Sequence, residues 1–316
     1  MGEVIVTDLW RYAVKGLDRD ELSSVELLTN AGFPKDRTWA LHFVDAEERF
    51  NEATPAALDV TSQGSEQVKM GGASRWLHKS NFLCAFTAPA LGKFHTTFDD
   101  ATDTLVVRRR NSGEQLLVAR LSDMAERKRA EAFFTKEHGR AVRIVTADGA
   151  HHFGNTPVGF KHHPSGCVIH LVNAATVAAL GEAASTTFHA SRFRPNIVVR
   201  GAPAWSEFAW VGRSVRLGDA TLEVLSRTVR CEATNFDGRQ DASEGVPKLD
   251  VPKLLASHFP QHGPYLGVYL RVVQGGIVRK GDVLVPPPAR SRSAVQLCSA
   301  VAVSATVLAI AFLLAA

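Results

Sequence analysis

The sequence predicts a mainly β protein with peripheral helices, α+β in class. Most of the chain reads as short strands, capped helical stretches are few, and no period of 20 to 50 residues repeats. Strands are expected at residues 3–9, 38–44, 104–108, 142–146, 196–200 and 214–217, and a strand-like run covers 221–225. Residues 266–273 and 277–279, joined through Gln274-Gly275-Gly276, read as a β-hairpin with a glycine turn. Ser122 can cap a helix running to about His138, with Gly139 as its stop. Asn173 can cap one over 174–184, and Asp250 one over 251–259 with Pro252 in its first turn.

A chain of 316 residues holds two domains or one large one. Its hydrophobic content of 45% and charged content of 22% are those of a globular protein. The net charge of +4 is spread along the chain without a basic tract interleaved with aromatics, so nucleic-acid binding is not suggested. Cys84, Cys167, Cys231 and Cys298 are far apart, with no Cys-x-x-Cys pair. That argues against a zinc site or an iron–sulfur cluster and fits a reducing compartment.

Residues 1–20 are mixed and charged, unlike a signal peptide. Residues 294–316 carry no charge, with Gln296, Ser299 and Ser304 the main polar interruptions. As a helix this tail would span roughly 34 Å, enough for a hydrocarbon core of ~30 Å. Arg290 and Arg292 precede it, as cations do on a cytoplasmic side, and Pro286-Pro287-Pro288 makes a stiff spacer before a linker at 289–293. The expectation is a single-pass membrane tail anchor with the catalytic mass in the cytosol.

The stretch Val229-Arg230-Cys231-Glu232-Ala233-Thr234-Asn235-Phe236-Asp237 follows a strand-like run and precedes a turn-rich segment. Arg230 beside Cys231 favours the thiolate, the form that attacks or binds a soft metal. Taken alone, such a cysteine is more often an inert small hydrophobe. His151-His152 and His162-His163 suggest metal binding only weakly, since adjacent histidines in a strand point to opposite faces. Asp237 is open to two roles, a general acid or a partner that orients a ligand.

Further segments complete a pattern. Tyr12-Ala13-Val14-Lys15-Gly16-Leu17 and Gly32-Phe33-Pro34-Lys35-Asp36-Arg37-Thr38-Trp39 stand near the N-terminus. Arg192-Phe193-Arg194-Pro195-Asn196 precedes the cysteine stretch, and Tyr265-Leu266-Gly267-Val268-Tyr269 and Gly281-Asp282 follow it. In this order and spacing they resemble the MOSC family, with the β-barrel domain that precedes MOSC in the mitochondrial amidoxime-reducing components and their bacterial relatives.

The resemblance implies an N-terminal β-barrel over 1–120, a connecting helix and strand over 121–145 and a MOSC β-barrel over 146–288, with a pterin in the cleft between barrels. It implies a molybdenum cofactor ligated through Cys231, with Arg-Cys-x-x-Thr-x-x-Asp intact as Arg230, Cys231, Thr234 and Asp237. Lys15, Arg37, Arg194 and Asn196 would hold the pterin and its phosphate, and Thr176 stands where the family has a serine. Cys84, between Phe82 and Phe86, and Cys167, before Val-Ile-His-Leu-Val, look like core positions, which leaves Cys231 as the ligand candidate. At the level of the domain the family also carries an association with pyridoxal phosphate binding.

The implied activity is reduction of N-hydroxylated compounds such as amidoximes, hydroxylamines or N-oxides. Electrons would come from a b-type cytochrome and its NADH-dependent reductase, or from a ferredoxin-type donor in a bacterium. The alternative is a non-catalytic carrier of the cofactor, or of sulfur held on Cys231 as a persulfide. Three positions depart from the family pattern: Gly16 and Val229 replace serines, and Phe50-Asn51-Glu52-Ala53-Thr54-Pro55 stands where Thr-Gln-Arg is common.

Overall fold

Strands dominate the computed structural model, which describes residues 2–46, 50–51, 76–77, 79–146, 168–237, 239 and 249–288. The first half holds β1 (Val4–Arg11), β2 (Val14–Lys15), β3 (Asp20–Leu22), β4 (Ser24–Leu27), β5 (Trp39–Phe43), β6 (Phe50–Asn51), β7 (Trp76–Leu77), β8 (Phe94–Asp99), β9 (Thr104–Arg109), β10 (Gln115–Arg120) and β11 (Val142–Thr146). The second half holds β12 (Ile169–Asn173), β13 (Ile197–Arg200), β14 (Ser214–Leu217), β15 (Ala220–Val229), β16 (Tyr265–Gln274), β17 (Gly276–Arg279) and β18 (Val283–Val285). Three α-helices accompany them: α1 (Met124–His138), α2 (Ala174–Ala183) and α3 (Val251–His258).

Seven strands close into a barrel in the order β13, β12, β16, β15, β14, β18, β1 and back to β13. β12 and β13 run parallel, and the other pairs are antiparallel. Alternation sets the inside: in β14, Val215 and Leu217 are buried while Ser214 and Arg216 are exposed. Val6, Leu171, Ile197, Leu222 and Leu270 join them in one core, each burial contributing roughly 1.5–3 kcal/mol. The β15–β16 register shifts three times, and such bulges give long strands the bend that closure needs.

β1 belongs to this barrel although it lies far from it in sequence. It pairs Ile5 with Arg200 and Leu9 with Ile197 on one side, and Val4 with Leu284 on the other. Without it β13 and β18 would leave open edges. The first half thus contributes β1 to the barrel of the second. Of the other described strands of the first half, β3 extends the sheet beside β1, β4 pairs with β17 and β6 with β7, while β8–β9–β10 and β11–β5–β2 form two sheets packed with Phe134 and Ala130 of α1 around a second core. Residues Met1–Pro286 make one compact unit; of the second unit, Pro287–Ala316, only Pro287 and Pro288 are described.

Two local expectations change. α1 is capped by Asp123 rather than Ser122: the Asp123 carboxylate accepts from the Glu126 N–H at 2.9 Å. The glycine-turn hairpin does not form, because β17 pairs with β4, not with β16. A Cβ on Gly275 would lie 2.7 Å from the Leu27 carbonyl oxygen, and one on Gly276 2.5 Å from the Asp219 carbonyl carbon. The glycines let the chain cross close to other backbones on its way to β4. The caps at Asn173 and Asp250 are as expected, accepting from Ala175 N–H at 3.1 Å and Lys253 N–H at 3.1 Å. Among the described residues no helix is long and apolar enough to cross a membrane; the tail at 294–316 lies outside them.

Candidate cofactor site

The end of β15 carries Cys231 out of the barrel wall into a single 3-10 turn, Glu232–Asn235. The thiol is half-buried, and the motif around it builds its loop. Thr234 folds back on the Cys231 carbonyl, donating from its N–H at 3.0 Å and its hydroxyl at 2.8 Å. Buried Arg192 donates to the Thr234 carbonyl at 3.0 Å and lies 3.7 Å from the Asp237 carboxylate. Arg239 grips both Asp237 oxygens, at 3.2 and 3.0 Å. Burial pushes the Asp237 carboxyl up, but the hydrogen bonds and charge of Arg239, with Arg192 behind them, outweigh it and hold the group below the ordinary carboxylate range. Asp237 thus braces the cysteine loop through Arg192 and Arg239.

Facing this loop are cations brought by the first half. The parallel pairing of β2 with β5 aligns Lys15 with Ala40 and brings the 33–38 turn beside Tyr12. Tyr12 is clamped through its backbone, its N–H donating to Asp36 at 2.7 Å and its carbonyl accepting from the Arg37 N–H at 2.7 Å. The Arg37 side chain pairs with Asp36 and donates to the Arg194 carbonyl at 3.2 Å. The Arg194 guanidinium lies 4.1 Å, and that of Arg37 5.0 Å, from the Tyr12 ring centre. Arg230 donates to the Phe193 carbonyl at 2.9 Å and feels the charges of Cys231, Arg37 and the hydroxyls of Tyr269 and Tyr12. Both Arg37 and Arg194 have left-handed backbones, with φ of 53°, a conformation that costs non-glycine residues free energy and collects at functional sites.

Burial brings the Lys15 ammonium down to about 8, Arg37 and Arg194 push the same way, and the thiols of Cys84 and Cys231 pull back. Burial likewise lowers Arg194 and Arg230. Several buried polar atoms of this cluster make no hydrogen bond among the described residues: the Tyr12 hydroxyl, Arg194 Nη2, Arg230 Nε and His170 Nε2. Unmade bonds at buried groups are rare in proteins, and their gathering at one place suits an anionic ligand with several acceptor oxygens.

Two expected residues are engaged elsewhere. The Asn196 amide bridges strands, accepting from the His170 N–H at 3.1 Å and donating to the Trp10 carbonyl at 3.2 Å. The Thr176 hydroxyl donates to Glu207 at 2.7 Å and accepts from the Trp205 N–H at 2.8 Å, inside a buried network completed by Asn173. Both side chains bond to the scaffold, while Lys15, Arg37, Arg194 and Arg230 offer the cations, and Cys231 the soft donor, that suit a pterin phosphate and its metal.

Sequence reasoning assigned no role to Tyr12, His170 or Tyr269, although Tyr12 and Tyr269 stood inside the quoted segments. Cys84 is buried, as expected, yet it also sits against Lys15's neighbour Gly16, where a Cβ would lie 2.6 Å from the Cys84 Cα. Gly16 also has φ of +89°, in the left-handed region that favours glycine. The histidine pairs at 151–152 and 162–163, Cys167 and Cys298 lie outside the described residues.

Residues 148–285 match the family model of the MOSC domain, so this part of the chain is a MOSC domain. The chain is 24% identical over 289 residues to mitochondrial amidoxime reducing component 2 of Rattus norvegicus, covering 88% of this chain and 81% of that one. It is 22% identical over 215 residues to a molybdenum cofactor sulfurase of Oryza sativa subsp. japonica, covering 56% of this chain and 26% of that one. Among solved structures, the YUAD protein from Bacillus subtilis aligns over 90% of this chain and 97% of its own at 10% identity, with a TM-score of 0.38.

Proposed function

We propose that the chain is a molybdenum-cofactor-dependent oxidoreductase that reduces N-hydroxylated compounds: amidoximes, hydroxylamines or N-oxides. The observation that carries this reading is the convergence of Lys15, Arg37, Arg194 and Arg230, with unbonded donors among them, on the half-buried thiol of Cys231. Lys15, Arg194 and Arg230 would bind the pterin phosphate, Arg37 holds Arg194 through its carbonyl, and Cys231 would ligate the metal. When bound, the cofactor supplies two-electron reduction with release of water. The protein's own part is to hold that group, keep Cys231 presented by the Arg192–Asp237–Arg239 brace, and exclude water from the basic cluster. Electrons come from a separate protein, a b-type cytochrome with its NADH-dependent reductase or a ferredoxin-type donor. The 294–316 tail is the membrane anchor in this reading, and recovery of the intact chain in a carbonate-washed soluble fraction would refute that part.

The test is elemental analysis of the purified protein followed by turnover of benzamidoxime. Molybdenum near one per chain, no turnover with NADH alone, and turnover with reduced viologen are expected. A molybdenum-replete sample inactive with viologen across N-hydroxy compounds fails the reading. A second reading, a carrier of cofactor or sulfur, is favoured by the match to molybdenum cofactor sulfurase; a persulfide on Cys231 in metal-free protein would select it.

A further inference from the structure

The Tyr12 hydroxyl is buried and makes no hydrogen bond among the described residues. Its ring carries the guanidinium groups of Arg194 and Arg37 at 4.1 and 5.0 Å from the centroid. The carboxylate of Asp18, the acid that also acts on the phenol, is taken up by Arg110 at 2.8 Å and Arg19 at 3.4 Å. Arginine offers donors and no acceptor. A phenol set among guanidinium groups therefore has a proton with no acceptor among the described residues to receive it. Backbone bonds to Asp36 and Arg37 fix the residue on both sides, so the side chain does not owe its position to slack in the loop. Phenylalanine would fill the same space and support the same cation–π contacts without an orphaned oxygen. Arg194 Nη2 and Arg230 Nε, also unbonded, belong to the same cluster.

We infer that Tyr12 is a binding residue of the anion site: its hydroxyl donates to an oxygen of a phosphate-class ligand, and its ring holds Arg37 and Arg194 beside that ligand. The inference rests on the anion-binding part of the function proposed above and adds a donor to it. Tyr12→Phe tests it, because that change removes only the oxygen. Inorganic phosphate is titrated into full-length wild type and variant, both produced without molybdate, and the shift in melting temperature is followed. The apparent Kd for phosphate should rise about tenfold or more in Tyr12→Phe, the worth of one hydrogen bond to a charged acceptor. The melting temperature without phosphate should stay the same or rise. Equal phosphate affinity in both proteins, no phosphate binding by the wild type, or loss of folding in the variant overturns the inference. Molybdenum content after growth with molybdate keeps the two claims apart. A wild type that binds phosphate through Tyr12 but never molybdenum refutes the cofactor reading and leaves this one standing.

Discussion

Cys231 and Lys15 pose different tests because one offers sulfur and the other charge. The loop of Cys231 is held by Thr234, Arg192 and Asp237 rather than by the thiol itself, so Cys231→Ser should fold with an unchanged melting temperature. A hydroxyl is a poor partner for a soft metal, so molybdenum content and N-hydroxy reduction should both be lost. Full metal content in that variant would remove Cys231 from the ligand role. For Lys15, the folded-state value of about 8 lies below the ordinary 10.5. An anion favours the charged amine, so phosphate should bind more weakly as pH rises through about 8. Lys15→Met should bind weakly throughout and lose that dependence, measured by titration between pH 7 and 9.5. The same depression means the folded protein refuses a proton that the unfolded chain accepts between about 8 and 10.5. Lys15 therefore contributes a rise in stability with pH across that window.

At the scale of elements, α2 and the 16–17 turn decide two assignments. Thr176→Val would leave the buried Glu207 carboxyl and the Trp205 N–H each short of a partner. A loss of about 1–3 kcal/mol in urea denaturation is expected, with molybdenum content unchanged. Lost metal at full stability would restore Thr176 to the cofactor. Gly16→Ser, which reinstates the family residue, should destabilise by more than about 1 kcal/mol, since its Cβ meets the Cys84 backbone and φ is positive. The helix caps at Asn173 and Asp250 were legible because a cap is a contact between neighbours in sequence. The partner of β17 was not, because Gly275-Gly276 suits a turn and a close crossing equally, and only the positions of Leu27 and Asp219 distinguish them.

Over the whole molecule, buried imidazoles make folding sensitive to acid. Burial lowers His170 well below its ordinary 6.5, with the charge of Arg230 acting in the same sense, and burial also lowers His138, His189 and His262. The unfolded chain takes up these protons near 6.5 while the native state refuses them, so stability should fall as pH drops below about 6.5. Melting temperature at pH 7.5 and 5.5 measures this, and His170→Gln should flatten the slope. A slope equal in variant and wild type would mean that His170 takes its proton without unfolding.

The grouping of Lys15, Arg37 and Arg194 with Cys231 was implied by the family resemblance; by itself the sequence determined the mainly β class, most strand positions and two helix caps. Those follow from short-range chemistry: alternation and capping groups. Only the tertiary structure decided that β1 closes the barrel, that Asn196 and Thr176 bond to distant strands and loops, and that Arg192 and Arg239 hold Asp237. The physical reason is common to all three. A polar side chain or a strand edge advertises a bond it can make, and the partner that takes the bond is fixed by which distant segment packs beside it.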